Sequence, residues 1–84
     1  MDYKVYILYS EQKDKFYIGQ TRSLSIRLTE HLCGYSLYTR QCDDWDIVYV
    51  ELFKSRGDVV KREKFLKKQK NKEFYRSLIL SLDG

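Results

Sequence analysis

The chain has 84 residues, of which 43% are hydrophobic and 15% aromatic, and it contains no proline and two cysteines. This composition suits one compact core and excludes a disordered tail, a fibre or a string of linked domains. No run approaches the roughly 18 apolar residues of a membrane span, and residues 1–4 lead directly into a strand pattern instead of a signal peptide. We therefore expect a single cytoplasmic domain, residues 1–84, without membrane contact.

The net charge of +4 is distributed unevenly. Residues 54–76 contain ten basic and three acidic side chains, a net charge of +7, whereas the rest of the chain carries −3. This local excess favours a polyanion partner, and a solvated lysine-rich helix face is the alternative. The side chains predicted to contact nucleic acid are Lys54, Arg56, Lys61, Arg62, Lys64, Lys67, Lys68 and Lys70, with Arg40 from a preceding loop.

Aromatic and β-branched residues at the start of the chain predict a β-hairpin with strands Tyr3–Tyr9 and Lys15–Gln20. Any loop of even length places Tyr6 and Tyr17 on the same face of the sheet. The two rings are direct neighbours if the loop has two residues and diagonal neighbours if it has four. The alternative is that these tyrosines only reflect the strand preference of the residue type.

A first helix is predicted over Leu24–Cys33, with Ser23 as its N-cap and Gly34 beyond its end. Arg27 and His31 lie one turn apart at the edge of its apolar face, so both lean toward the sheet. Either they are functional, or Arg27 lies along the surface and His31 is a hydrogen-bonded core residue. The apolar face itself is predicted to consist of Leu24, Leu28 and Leu32.

Residues 34–44 have no clear period and predict a loop, which carries interleaved aromatic and basic side chains. Residues 45–53 predict a third strand that is apolar on both faces, which indicates a central strand covered by helices. Two more helices follow, one from residue 55 or 57 to about residue 68 and one over about 72–82 with Asn71 as its cap.

Glu63 lies in the middle of the only apolar stripe of the second predicted helix, four residues after Val59 and three before Leu66. A carboxylate is costly to bury there unless it is paired with a cation or a metal, or is protonated. Two interpretations stay open, a metal ligand or one half of a structural ion pair with Arg27 or a lysine.

Together these side chains suit phosphodiester hydrolysis, with a phenol or imidazole for the proton of water, a guanidinium for the phosphorane and a carboxylate for a metal ion. Over almost its whole length the chain resembles the GIY-YIG nuclease domain. The residues that carry the resemblance are Lys4-Val5-Tyr6, Tyr17-Ile18-Gly19, Arg27-Leu28-Thr29-Glu30-His31 and Arg62-Glu63. Lys4 stands where the first motif has glycine. Within the superfamily, the chain looks most like stand-alone bacterial proteins related to the N-terminal nuclease domain of the bacterial repair enzyme excinuclease ABC.

The resemblance implies a small α/β (α+β) fold, in which helices pack on a three-stranded, mostly antiparallel sheet in the order ββαβαα. It also implies a role for each motif residue: Tyr6 as general base or water-orienting phenol, Tyr17 as its partner, Arg27 as phosphate stabiliser, His31 as a proton-handling or orienting group, Glu63 as the ligand of one Mg or Mn ion, and Gly19 for backbone geometry.

The implied activity is that of a metal-dependent DNA endonuclease in DNA repair or processing, of low specificity or selective for DNA structure. RNA and a targeting protein are further candidate partners, and the oligomeric state is open. Two alternatives are a non-catalytic nucleic-acid-binding module and a protein-interaction module that docks through residues 35–38. The presence of all five predicted site residues favours the enzyme, since neither alternative needs them together.

Overall fold

A computed structural model describes residues 2–33 and 42–81 of the chain. In chain order, the elements are β1 (Tyr3–Ser10), β2 (Lys15–Thr21), α1 (Leu24–Leu32), β3 (Asp46–Phe53), α2 (Arg56–Gln69) and α3 (Lys72–Leu80). The order ββαβαα and the antiparallel pairing of the strands confirm the predicted α+β fold. No helix in the described part of the chain has the length and apolar character needed to cross a membrane.

The sheet has the order β2-β1-β3, so β1 is its central strand. The prediction of a central third strand was therefore wrong. β3 is apolar on both faces because both faces are covered even at this edge: Tyr49 joins the core on one side, and Val50 packs against the core on the other. The strand with the strongest burial is β1, where Val5, Tyr6, Ile7 and Leu8 are each at most 1% exposed.

The hairpin register places the two tyrosines of the predicted motifs on one face of the sheet. Ser10 pairs with Lys15, so the loop between β1 and β2 has four residues. Tyr6 lies opposite Gly19, and Tyr17 lies opposite Leu8. The tyrosines are therefore diagonal neighbours, which is the outcome predicted for the longer loop.

Helices cover both faces of the sheet and form two separate clusters of buried side chains. The cluster on the α2 and α3 side contains Val5, Ile7, Ile18, Tyr49, Val59, Leu66 and Tyr75. The cluster on the α1 side contains Tyr6, Leu8, Cys42 and Trp45, with Leu24 and Leu28 packed against it. The hairpin alternates between the two sides, so β1 contributes to both.

The start of α1 differs in detail from the prediction. Ser23 occupies the N-cap position, but its side chain makes no capping hydrogen bond. Instead, the hydroxyl of Thr21 accepts a hydrogen bond from the Ser23 N–H at 3.0 Å and donates one to the Ser23 carbonyl at 3.1 Å. Gly34, predicted to follow the helix, lies outside the described residues.

The predicted apolar face of α1 is wrong at its last position. Leu32 is 44% exposed, whereas His31 is 1% exposed. At about 100° per residue, His31 lies within about 20° of Leu24 around the helix, while Leu32 is rotated away by about 80°. The imidazole therefore continues the buried face, and the last leucine does not.

Side-chain caps begin the other two helices. The Ser55 hydroxyl accepts a hydrogen bond from the Asp58 N–H. Of the two predicted starts of α2, the structure therefore shows the earlier one, with Ser55 as the N-cap. The side-chain Oδ1 of Asn71 accepts hydrogen bonds from Glu73 N at 2.9 Å and Phe74 N at 3.4 Å, as predicted for α3. A short connection, residues 70–71, joins α2 to α3 beside the outer edge of β2.

Candidate active site

Tyr6 is the centre of the candidate site. It lies in the middle of β1, opposite Gly19 on β2 and Val50 on β3, and its side chain is only 1% exposed. A tyrosine buried to this degree needs partners for its hydroxyl. Both partners come from α1, the helix that covers this face.

Arg27 and His31 converge on the Tyr6 hydroxyl. Nε of Arg27 donates to Tyr6 Oη at 3.3 Å, and Tyr6 Oη lies 2.9 Å from Nε2 of His31. Their spacing of one helical turn puts both side chains over the same strand residue, as the helical wheel predicted. When neutral His31 carries its proton on Nδ1, Tyr6 donates to Nε2 and the three side chains form one directed chain of hydrogen bonds.

Gly19 makes room for this arrangement. A Cβ at position 19 would lie 2.6 Å from Cζ of Tyr6, and closer still to its hydroxyl. The phenol ring therefore passes directly across the backbone of β2. The predicted role of Gly19 in backbone geometry corresponds to this close approach.

The electrostatic environment keeps the phenol and the imidazole neutral. Burial raises the pKa of Tyr6 to about 12, and the hydrogen bond from Arg27 opposes this rise. Burial, followed by the charge of Arg27, lowers the pKa of His31. Arg27 itself has a raised pKa, chiefly through its hydrogen bond to Tyr6, so the site holds one fixed positive charge.

Tyr17 completes the group on this face. Its ring centroid lies 6.4 Å from that of Tyr6 and 4.6 Å from that of His31, with an edge-on geometry to the imidazole. Unlike Tyr6, it is only partly buried and lines a surface groove. The structure thus brings four of the predicted site residues together: Tyr6, Tyr17, Arg27 and His31.

Glu63 lies in the other layer of the fold from α1. It lies on α2, which packs against the other face of the sheet through Val59 and Leu66. Its side chain is 16% exposed, and its negative charge contributes to the raised pKa of Tyr6 after burial and the other causes. The link between Glu63 and the other four residues is therefore electrostatic.

The ion pair considered for Glu63 is present in a weak form. Nζ of Lys67 lies 3.8 Å from the carboxylate, and the Lys67 side chain is 53% exposed. Arg27 instead pairs with Glu30 at 3.1 Å. A pair this long, with its lysine mostly in solvent, contributes about 0 to 1 kcal/mol, which is too little to explain why a carboxylate is placed in the apolar stripe.

The single predicted metal ligand, Glu63, is a carboxylate, the type of side chain with which proteins hold Mg²⁺. Mg²⁺ keeps several of its waters and is often held by one or two carboxylates together with the phosphates of the substrate. Glu63 is such a carboxylate, and it is partly exposed. Among residues 2–33 and 42–81, no group of three or more His, Cys, Asp or Glu side chains forms a ready-made cage. An ion held by Glu63 would therefore also need the substrate.

Most of the side chains predicted to contact nucleic acid are exposed on α2 and around its ends. These are Lys54, Arg56, Lys61, Lys64, Lys67, Lys68 and Lys70. Arg62 is different, because its guanidinium makes two hydrogen bonds to the Glu51 carboxylate, at 2.8 and 2.9 Å. Arg40 lies outside the described residues. Contact between these side chains and nucleic acid stays a prediction.

Sequence reasoning assigned no role to Glu30, although it fixes the guanidinium of Arg27 from the same helix. The signal was present, since a carboxylate three residues after an arginine on a helix lies beside it. Lys15 and Lys72 were also missed. They come from distant parts of the chain and meet at the groove beside Tyr17.

The comparisons with known proteins agree with this geometry. The model of a family described as the GIY-YIG catalytic domain matches residues 2–76. The chain belongs to the GIY-YIG family. Comparison with curated proteins finds no match. Among solved structures, the chain is similar to the UPF0213 protein BH0048 from Bacillus halodurans, determined by solution NMR. The TM-score is 0.58 and the identity 26%, over 100% of this chain and 87% of that one.

Membership of the GIY-YIG family places the chain among nucleases, and the recognised motifs lie inside the matched region. Tyr6 and Gly19, one from each name-giving motif, are the residues that lie directly opposite each other in the hairpin. Lys4, which departs from the first motif, is an ordinary strand residue paired with Thr21 and Leu52. Its ammonium donates to the Arg22 carbonyl at 3.3 Å, so the substitution is accommodated at the end of the sheet.

Proposed function

We propose that the chain is a divalent-metal-dependent endonuclease that hydrolyses phosphodiester bonds in DNA, in DNA repair or processing. The observation that carries this proposal is the chain of hydrogen bonds from Arg27 through Tyr6 to His31, in which Tyr6 and His31 are buried. A structural role alone does not require an arginine to converge on two buried polar side chains, because burying polar groups is costly unless each is satisfied.

Arg27 is the group that stabilises charge on the phosphate. Its side chain is 39% exposed, so a phosphate oxygen can reach it, while Tyr6 and Glu30 hold it in place. A guanidinium fixed before the reaction stabilises the transition state without reorganising. We therefore assign Arg27 to the phosphorane oxygens.

The two tyrosines have different roles in the proposed reaction. Tyr6 is buried and has a pKa of about 12, so only a very small fraction of it is ionised near neutral pH. This favours an orienting role for Tyr6 over that of a general base. Tyr17, the less buried phenol, contacts the attacking water, and neutral His31 beside it takes part in handling the proton.

Glu63 would hold the Mg or Mn ion, which would supply Lewis-acid stabilisation of charge on the phosphate oxygens. The basic residues of α2 lie on the same helix, so the protein would bind the DNA backbone next to the metal-binding carboxylate. Affinity for DNA would then fall steeply with added salt.

The test is incubation of the protein with plain, nicked and branched DNA, with Mg, with Mn and with a chelator. We expect cleavage only with a metal ion, and a loss of about 100- to 1000-fold in rate for Arg27→Ala. Lys13→Gln is the matched control, because it removes one positive charge from an exposed turn residue away from the site. Salt-dependent DNA binding without cleavage of any substrate would contradict the nuclease and leave the non-catalytic binding module.

A further inference from the structure

A groove of about 410 Å³ opens beside Tyr17, at the outer edge of β2 and against the junction of α2 and α3. Its rim carries four lysines, Lys15, Lys67, Lys70 and Lys72. Its floor is formed by Phe16, Tyr17, Ile18 and Tyr75. The lysines come from one strand and from the facing ends of two helices, so the folded chain brings them together.

Four of the eight residues that line the groove are lysines. Lys67 is 3.8 Å from the Glu63 carboxylate, and Lys72 is 3.1 Å from Asp14. Asp14 is shared with Arg76 at 2.9 Å, so this one carboxylate faces two cations. A rim with more cations than carboxylates is complementary to an anion with several negative groups.

The floor is aromatic and has its polar atoms satisfied. The rings of Phe16 and Tyr75 lie 5.3 Å apart between centroids, and the Tyr75 hydroxyl donates to the Leu66 carbonyl at 2.7 Å. The Tyr75 ring is itself only 5% exposed, so the partly exposed Phe16 is the ring of this pair that a ligand can reach. Lysines over aromatic rings are the combination with which proteins bind a nucleic acid strand whose bases are unpaired, because every base has a face that stacks.

Two residues that line the groove also contact residues of the candidate active site. Tyr17 lines the groove and also lies 4.6 Å from the His31 ring. Lys67 lines it and pairs with Glu63. A strand that leaves the active site around the edge of β2 therefore enters the groove next.

We propose that this groove binds one unpaired nucleotide of the substrate strand, next to the phosphodiester bond that is cleaved. Lys15 and Lys70 contact its phosphates, and its base packs against Phe16. This assignment rests on the proposed nuclease function for the meaning of the site, but binding in the groove is measured without cleavage.

The first test is an NMR titration of the full chain, without metal ions, with a tetranucleotide of thymidine. We expect saturable shifts in residues 15–18 and 67–72. An abasic tetranucleotide with the same phosphates should bind at least about fivefold more weakly. Three results would each overturn the proposal. The first is a set of shifts confined to the outer face of α2, and the second is equal affinity for both ligands. The third is a set of concentration-dependent shifts at β2 without DNA, which would indicate that a second copy of the chain binds there.

The second test compares two variants that each lower the net charge by two. Lys15→Gln with Lys70→Asn removes two groove lysines, and asparagine tolerates the left-handed conformation of position 70, where φ is 47°. Lys13→Glu is the control, two residues from Lys15 on the exposed turn. The slope of log affinity against log salt should fall by about 1.4 in the double variant and stay close to wild type in the control.

Equal slopes in the two variants would overturn the proposal, because total charge alone would then explain binding. If the double variant fails to fold by its NMR spectrum, Lys15→Gln is compared with Lys13→Gln, with an expected fall of about 0.7 for Lys15→Gln alone. These readouts separate the two proposals. Absence of cleavage with intact groove binding contradicts the nuclease, and cleavage without groove binding contradicts this inference.

Discussion

The two faces of the sheet bury different kinds of side chain. On the α2 and α3 face, Val59 and Leu66 are fully buried against Ile7 and its neighbours. On the α1 face, the most buried side chains include Tyr6 and His31, which are held by hydrogen bonds. The first face contributes stability through apolar burial, whereas part of the interior on the second face is occupied by polar groups that are fixed in position.

The largest expected effect on stability lies on the apolar face. Leu66→Ala leaves a cavity between α2 and the sheet, which should lower the free energy of unfolding by about 2 to 5 kcal/mol. Leu80→Ala on α3, where the side chain is 67% exposed, is the control and should have little effect. Chemical denaturation measures both. Well below its melting temperature, the Leu66 variant should still cleave DNA within several-fold of wild type. A loss of cleavage as large as that of Arg27→Ala would contradict the separation of the two faces.

A smaller loss of stability is expected at Gly19, with a larger consequence for the site. The added Cβ of Gly19→Ala must displace the Tyr6 ring and disturb both of its hydrogen bonds, which should cost about 1 to 3 kcal/mol. Gly57→Ala is the matched control, because its Cβ would meet only Ser55 Oγ, at an ordinary 3.6 Å. In a helix, that change should stabilise the protein by about 0.5 to 1 kcal/mol. Thermal melts that move together in the two variants would contradict the close packing of Tyr6 on Gly19.

The smallest expected effect is a change of stability with pH, which is caused by the titration of His31, the only histidine of the sequence. Its pKa is lowered by burial and by Arg27, while Glu30 acts in the opposite direction. As pH falls through the ordinary value of about 6.5, the unfolded state takes up a proton that the folded state does not, so stability decreases. Melting temperature should therefore fall between about pH 7 and 5.5 in wild type. A His31→Gln variant should show a flatter profile over this range, and an equal slope would contradict the buried neutral imidazole.

Patterns local in the chain predicted the helices, the hairpin and the shared face of Tyr6 and Tyr17. The residues 11–14 of the turn carry no signal that separates a two-residue from a four-residue loop, so the diagonal offset was left open. The position of β3 was misjudged for a physical reason, since an edge strand covered on both faces shows the same apolar pattern as a central strand.

Contacts between residues far apart in the chain could not be predicted from the sequence. The pairing of Arg62 with Glu51 and of Lys72 with Asp14 depends on how the helices lie on the sheet. Periodicity identifies the buried side of a helix but does not say which charge of another element it meets. The placement of Glu63 and a lysine as its candidate partner were visible in the chain, because Lys67 lies four residues further along the same helix, whereas the weakness of the pair was not.

The central claim is the catalytic role of Glu63, which lies on α2, and Glu63→Gln tests this role most directly. This change keeps the shape and the hydrogen-bonding capacity of the side chain but removes the charge needed for a divalent cation. Glu73→Gln, the same substitution at an exposed position on α3, is the matched control. DNA cleavage with Mg or Mn is measured beside DNA affinity and the melting temperature without metal.

We predict that Glu63→Gln abolishes cleavage and leaves DNA affinity and the melting temperature close to those of wild type, because the pair with Lys67 is long and exposed. Glu73→Gln should cleave normally. A Glu63→Gln variant that melts far below wild type without metal, yet cleaves DNA normally when folded, would contradict the assignment of Glu63 to the catalytic site.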